Sequence, residues 1–456
     1  QPLPLAPAQL DCMLLTHAHI DHSGRIPLMV KNGYKGPVYT TGATTELCGI
    51  MLRDSAHIQE FEAEWRNRKA KRSGAEEYQP LYTMEDAEAA LALFHSVDYG
   101  ETVQVGPNIR ARFTDVGHLL GSASIELWVT EGTETRKIVF SGDIGNTHQP
   151  LLRDPQPIKE ADFVVMESTY GDRSHGPRPD YVPELAAVLQ DTFDRGGNLV
   201  IPSFAVGRTQ EMLYFLRQIK EQNLVKGHDN FTVYVDSPMA VEATQVFKSS
   251  WAECYDEEAR TLVMQGVNPI NFRGLKLSLS SDDSKAINFD KEPKVILSAS
   301  GMCEAGRIRH HLKHNLWRPE STVLFVGYQS AGTLGRALVE GAKEVKLFGE
   351  TIEVRCKVLV LAGVSGHADN EGLLNWVKNF DPKPRTVFVT HGEDGVCDIF
   401  ANRLRSELGL AAVAPYNGAQ YDLVTGSCLA VGNTRRIEKA EGGGEKRGNA
   451  VVRRLP

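Results

Sequence analysis

The sequence contains no apolar run approaching the ~18 residues that a membrane span requires. It has no CxxC pair among its seven cysteines. The first absence excludes a spanning helix. The second, with an odd cysteine count scattered over positions 12, 48, 254, 303, 356, 397 and 428, argues against a disulfide framework and fits free thiols in a reducing, cytoplasmic setting. Basic charge is not in excess either: 50 Lys+Arg against 58 Asp+Glu give a net charge of -8. That excludes a uniformly basic nucleic-acid coat, though not a local basic groove. The opening QPLPLAPAQLD has neither a basic n-region nor an apolar core, so it does not read as a signal peptide. No internal repeat, KH-type GXXG segment or RRM signature is visible. What is present is a globular balance of 41% apolar and 24% charged residues over 456 positions, about three domains by length. Fourteen histidines are present, several of them clustered with Asp.

Strand-like and helix-like runs alternate. In the first part, strands are expected at Leu10 to Thr16, Pro37 to Thr40, Glu101 to Val105, Arg110 to Thr114, Ser124 to Val129, Arg136 to Ser141 and Phe163 to Met166. Helices are expected at Ala43 to about Arg72, closing at Ser73-Gly74, and at Glu85 to His95. From about Pro177 the pattern becomes regular βα: helix Tyr181 to Asp194, strand Asn198 to Pro202, helix Arg208 to Gln222, strand Phe231 to Asp236, helix Pro238 to Ser250, then strands Lys294 to Ser298 and Thr322 to Val326. Repeated βα units predict a parallel, doubly wound sheet. After about Thr351 the first style returns with strand Lys357 to Ala362, helix Asn370 to Asn379, strand Thr386 to Thr390 and helix Gly395 to Leu408. The Gly-rich, charged tail from Glu438 is expected to be disordered.

The chemistry concentrates after the first buried strand, at Thr16-His17-Ala18-His19-Ile20-Asp21-His22-Ser23-Gly24. On a strand end His17 and His19 project to one side. Asp21 and His22 follow the turn and can face a second point, so one segment can serve two neighbouring ions. A polar turn with an incidental histidine would explain one His, not three His and an Asp at HxHxDH spacing.

That spacing resembles the signature of the metallo-β-lactamase superfamily, and the resemblance extends along the chain. Asp115-Val116-Gly117-His118 and Ser141-Gly142-Asp143-Ile144-Gly145 look like its next two motifs. Glu167-Ser168-Thr169-Tyr170-Gly171-Asp172, Ser365-Gly366-His367-Ala368-Asp369 and Thr390-His391-Gly392-Glu393 are similar to motifs A, B and C of the β-CASP branch. That branch includes RNase J and the endonuclease subunit of the cleavage and polyadenylation specificity factor. The resemblance implies an α/β fold: an αββα metallo-β-lactamase sandwich from residues 1–175 and 351–437, a doubly wound β-CASP α/β domain inserted at 176–350, and a tail at 438–456. It also implies strands ahead of HxHxDH. The chain is therefore expected to be truncated at its N-terminus, and this piece alone to fold poorly or act weakly.

Carried over residue by residue, the resemblance implies two Zn²⁺, one held by His17, His19 and His118, the other by Asp21, His22 and His391, with Asp143 bridging. Imidazole and carboxylate suit zinc and also admit manganese. Two such metals ~3.5–4 Å apart can share a hydroxide and clamp a phosphodiester during in-line attack, giving Asp21 and Asp143 a catalytic part. His367 would be the general acid, and Glu167 would orient it and favour its protonated form. The function implied is a dizinc RNA phosphodiesterase in RNA processing or decay, with endonucleolytic and 5′-exonucleolytic action both open. A DNA nuclease and a small-molecule metallohydrolase are the alternatives. His391 favours RNA, because the DNA-repair relatives typically lack that histidine. Single-stranded RNA is the expected partner, no membrane is involved, and the relatives' habit of pairing leaves a homodimer open.

Three Gly-rich strand-to-helix turns are candidate substrate segments, because small residues let backbone N–H groups approach an anion. They carry Ser298, Ser300, Gly301, Met302 and Arg307; Ser203 and Arg208; and Tyr328 to Arg336. Arg307 is expected to offer a charged fork. The basic run Arg66 to Arg72 reads more readily as a solvated helix face than as an RNA contact.

Overall fold

The computed structural model describes residues 3, 5–70, 77–176, 179–361, 363, 365–393 and 395–434. The tail 438–456, the Ser73-Gly74 stop and the basic residues Lys71 and Arg72 lie outside them. The chain forms two compact units, one from residues up to Ser174, Ala252–Asp256 and Gly366 onward, the other from His175–Trp251 and Glu257–Ser365.

The first unit is a sandwich of two sheets. Its seven-stranded sheet runs in the order Ala412–Val413, Thr386–Val389, Phe163–Met166, Glu134–Phe140, Ala123–Glu131, Ile109–Asp115, Thr102–Gly106. The first four strands are parallel and the rest antiparallel. A three-stranded parallel sheet joins Met13–Leu14, Val38–Thr41 and Phe94–Val97. In Ile109–Asp115 the residues Ala111 and Phe113 alternate with Arg110 and Arg112. The apolar set packs with Ala123, Ile125 and Val97, against Leu14 and Tyr39 of the smaller sheet. On the opposite face of the large sheet Val139, Val164 and Met166 meet Leu373, Leu374, Phe400 and Leu404 from helices Asn370–Val377 and Val396–Leu408. Helices Gly42–Ala70 and Met84–Leu91 connect the strands Val38–Thr41 and Phe94–Val97 of the small sheet. The second of them is started by Thr83, whose hydroxyl accepts the Asp86 N–H while Asp86 accepts the Thr83 N–H, satisfying donors that a helix N-terminus leaves open.

The second unit is built on a six-stranded, wholly parallel sheet ordered Leu275–Leu277, Thr232–Val235, Lys294–Ser298, Leu199–Pro202, Thr322–Phe325, Lys357–Val360. Every residue of Leu199–Pro202, Lys294–Ser298 and Thr322–Phe325 is buried, as a sheet covered on both faces demands.

Several elements depart from the sequence expectation. The first strand is confined to Met13–Leu14. The expected helix to His95 ends at Leu91, and Phe94–Val97 instead pairs with Val38–Thr41. Backbone pairing there overrides a local helical pattern. Lys357–Val360 does not return to the first unit but lies beside Thr322–Phe325 at the edge of the second sheet, so the return begins at Gly366 rather than at 351. The hairpin Glu344–Leu347/Glu350–Glu353 was not expected. It turns through Phe348 and Gly349, both with positive φ (52° and 86°), the geometry of a two-residue turn. In the basic run, Arg66 pairs with Glu62 and lies over the Tyr78 ring, and Arg68 pairs with Glu64, as a solvated helix face would. All seven cysteines are free, and no helix among the described residues is long and apolar enough to cross a membrane.

Phe113 is fully buried between the two sheets. Phe113→Ala is expected to destabilise the first unit by about 3–5 kcal/mol, read as an earlier urea transition by tryptophan fluorescence; an unmoved transition would show that the sheets do not depend on this contact.

Candidate metal centre

Each ligand-type side chain sits where a strand of the first unit ends. Met13–Leu14 runs into His17 and His19, and a short helix, Ile20–Ser23, carries Asp21 and His22. The Ser23 hydroxyl donates to the carbonyls of Ala18 and His19 (2.9 and 3.1 Å), fixing the bend between the two ligand pairs. His118 follows Ile109–Asp115, Asp143 follows Glu134–Phe140, Glu167 follows Phe163–Met166 and His391 follows Thr386–Val389. The parallel register Val389↔Met166 sets Glu167 beside the segment that carries His391, and the Ser168 N–H donates to the His391 carbonyl (3.1 Å).

Asp143 is the centre of this arrangement. Its Oδ2 lies 3.4 Å from His17 Nε2, 3.3 Å from His22 Nε2 and 3.6 Å from His118 Nε2, and its Oδ1 lies 3.4 Å from His391 Nδ1. Asp21 Oδ2 is 3.5 Å from both His22 Nε2 and His391 Nε2. Three groups have ligand atoms within 4.8 Å of one another: His17, His19, His118 and Asp143; Asp21, His22 and His391; and Asp143, Glu167 and His367. His17 Nε2, His22 Nε2 and Asp143 Oδ1 are buried without a hydrogen-bond partner among the described residues. Buried polar atoms are normally paired, so three orphans facing one point fit a cation held between them.

The outer partners orient the rings. The Gly366 carbonyl faces His118 Nδ1 at 3.0 Å, which makes that nitrogen the N–H and leaves the Nε2 lone pair facing the centre, as a metal ligand needs. Thr16 Oγ1 is 3.1 Å from His17 Nδ1, again leaving Nε2 inward. Such outer partners fix the tautomer of a ligating imidazole. Glycine is required where the loops touch. At Gly145 a Cβ would stand 2.1 Å from the Gly117 carbonyl oxygen, and at Gly142, with φ +60°, 2.9 Å from Thr16 Cβ.

Electrostatics keep the cluster ready for a cation. Burial pushes His19 down to about 3, with His17 adding to it, and lowers His17 and His118. These imidazoles are therefore neutral, the state a ligand needs. Burial opposes ionisation of Asp143, but the electrostatic pull of the His17 and His22 rings, with His118, outweighs it and holds the carboxylate well below its ordinary range. The hydrogen bond with Asp21 raises His391 to about 9 against burial, helped by Asp143. Proton and cation thus compete at His391.

Beside this cluster the buried Glu167 accepts the Ile144 N–H (2.5 Å) and the Thr169 N–H (3.2 Å), and faces His367 Nδ1 at 3.2 and 3.3 Å. Burial disfavours the His367 imidazolium, but the Glu167 carboxylate, with Asp143 behind it, prevails and raises the ring above its ordinary value.

All nine of these residues lie in the first unit; the sequence-predicted substrate residues lie in the second. Their polar groups are already engaged there. Ser203 Oγ meets Thr209 Oγ1 (2.8 Å), Arg208 pairs with Glu211, Ser298 Oγ donates to the Asp236 carbonyl (2.8 Å), Ser300 Oγ donates to the Ala305 carbonyl (3.3 Å), and the Met302 carbonyl accepts the Gly335 N–H (3.1 Å). Gly301 lies against Phe204. Arg307 is not the free fork the sequence suggested: it donates to Asp236 Oδ1 (2.7 Å) and to the carbonyls of Leu279 (2.7 Å) and Ser278 (3.4 Å). The fully buried Asp236, which also meets His311 Nε2 at 2.6 Å, carries no motif and was missed. So was Gln149, whose Nε2 donates to the carbonyls of Gly117 (3.3 Å) and Gly366 (3.2 Å). Thr169, with Oγ1 3.2 Å from His391 Nδ1, sits inside motif A and was within reach of the sequence.

Comparison with known proteins agrees with this architecture. The family described as Beta-Casp domain matches residues 209–338, and that described as Zn-dependent metallo-hydrolase RNA specificity domain matches 351–415. The chain is similar to Ribonuclease TTHA0252 of Thermus thermophilus, 38% identical over 395 residues, covering 86% of this chain and 84% of the relative. It is also similar to the transcription termination factor FttA of Methanocaldococcus jannaschii (33% over 417 residues) and of Methanosarcina mazei (32% over 421). Each archaeal match covers 90% of this chain but only 62% of the factor.

Gly145→Ala tests whether the loops carrying His118 and Asp143 must touch. The added methyl is expected to cost about 1–3 kcal/mol by overpacking and to lower the metal content of the purified protein, although residue 145 offers no ligand atom. A full metal complement at unchanged melting temperature would contradict this.

Proposed function

Because the chain belongs to the β-CASP branch of metallo-β-lactamase-fold RNA nucleases, we propose that it is a metal-dependent ribonuclease that hydrolyses phosphodiester bonds in single-stranded RNA during RNA processing or decay. The observation that carries this reading is the gathering of six ligand-type side chains around Asp143, with the Glu167–His367 pair alongside. His17, His19, His118 and Asp143 would hold one divalent cation and Asp21, His22, His391 and Asp143 a second, for which zinc suits the donor set. Bound there, the cations supply Lewis acidity toward phosphodiester oxygens and acidify water.

The other parts belong to the chain itself. Glu167 takes the Nδ1 side of His367, so the proton available for transfer is on Nε2. His367 then acts as general acid, donating that proton to the leaving oxygen as the P–O bond breaks. The raised pKa holds this proton to higher pH than an unperturbed imidazole would. The second unit, with its own parallel sheet, favours a polymeric substrate over the small molecules that the bare metal domain would accommodate.

The test is incubation with a labelled single-stranded RNA and the matching DNA, with zinc or manganese, beside His391→Ala. RNA cleavage that the substitution abolishes is expected. Cleavage of DNA alone, or of neither, would overturn the reading. The pH profile supplies a second test. His367 must be protonated, so the rate falls as pH rises through its raised pKa. Glu167→Gln removes the charge that raises it, and the alkaline limb is expected to move to lower pH; a limb that stays in place would remove His367 from the acid role.

A further inference from the structure

The parallel sheet of the second unit changes direction between two neighbouring strands. Leu199–Pro202 continues through helix Arg208–Glu221 to Thr232–Val235, which lies beyond Lys294–Ser298. Lys294–Ser298 continues through helix Ile308–Asn315 to Thr322–Phe325, on the other side of Leu199–Pro202. Crossovers of one hand that leave adjacent strands in opposite directions put their helices on opposite faces. The carboxyl ends of such strands frame the crevice in which open α/β sheets bind ligands.

Phe204 stands in that position, two residues past the end of Leu199–Pro202. A single exposed apolar residue is unremarkable, and place and support distinguish this one. Phe204 is 48% exposed; Phe289 of the same unit is more so (77%), but it ends a helix, whereas Phe204 follows a central strand of the sheet. Its ring is backed by Gly301, from the loop after Lys294–Ser298: a Cβ there would lie 3.3 Å from two ring carbons and 3.2 Å from the Phe204 nitrogen. Gly301 is held in turn by the buried Gln329, whose Nε2 donates to the carbonyls of Gly301 (3.1 Å) and Gly327 (3.2 Å). Gly335 leaves room for that amide, since a Cβ at 335 would fall 1.8 Å from Gln329 Oε1. The ring is thus fixed from behind and open in front.

The charges nearby decide the ligand chemistry. Arg208 is paired with Glu211 and Arg307 with Asp236, so the two cations of these turns are already neutralised by carboxylates. What the strand ends present is an aromatic face rather than a phosphate fork. We propose that Phe204 is a nucleobase-stacking platform, a subsite that takes one base of a single-stranded RNA. This rests on the ribonuclease reading above. Stacking on a prefixed ring needs little ordering on binding and tolerates any base.

The test uses the metal-loaded full chain and a mixed-sequence RNA, with a matched series in which one nucleotide at a time is abasic. Phe204→Ala is expected to raise KM roughly tenfold while kcat changes much less, and Phe204→Trp to restore KM. In the unsubstituted protein one abasic position carries a similar KM penalty, and in Phe204→Ala that penalty disappears. If RNA is cleaved but Phe204→Ala leaves KM unchanged, if Phe204→Trp fails as Phe204→Ala does, or if the abasic penalty persists in Phe204→Ala, the platform is wrong and the ribonuclease reading stands. If no RNA is bound or cleaved, both fall.

Discussion

One carboxylate sets the terms for the first unit. Asp143 has four imidazole nitrogens within 3.6 Å, drawn from three distant stretches of chain. Four imidazolium ions could not share that space. Burial keeps His17, His19 and His118 neutral, and Asp143 stays ionised among them. A buried carboxylate among neutral rings needs a compensating positive charge or a network of hydrogen bonds, which a proton on His391 supplies until a cation replaces it. The orphaned His17 Nε2, His22 Nε2 and Asp143 Oδ1 show that protein hydrogen bonds do not complete that compensation. The geometry is that of a cation site.

The scaffold follows from this demand. Glu134–Phe140, Phe163–Met166 and Thr386–Val389 are adjacent parallel strands, so Asp143, Glu167 and His391 emerge along one sheet edge though they are separated by more than 240 positions in sequence. Gly366 ties the returning chain to the centre: its carbonyl orients His118 and accepts from Gln149. The isolated bridge between Gly145 and His367 holds the acid candidate against the loop that carries Asp143. Small residues at 142 and 145 are steric necessities of that crowding.

The sequence was legible where chemistry and pattern are local. Within HxHxDH, four ligand types fall inside six positions, and the burial runs of Phe163–Met166, Tyr181–Asp194 and Lys294–Ser298 end where the sequence placed their ends. It was not legible where a partner decides. The helical pattern runs on to His95, although Val38–Thr41 draws Phe94 and His95 into a strand. Lys357–Val360 is a short apolar run whose sequence does not say which sheet it joins. Arg307 reads as a free cation because Asp236, the group that claims it, lies 71 positions earlier without any motif.

The central claim is that Asp143 organises a centre for two cations. Metal content by plasma mass spectrometry, after equilibration with zinc and removal of loose ions, tests it most directly when the protein is compared with Asp143→Asn at matched circular dichroism. The account predicts two ions per chain in the protein and loss of both from Asp143→Asn. Two ions retained by Asp143→Asn, or none bound by the unsubstituted protein, would contradict it.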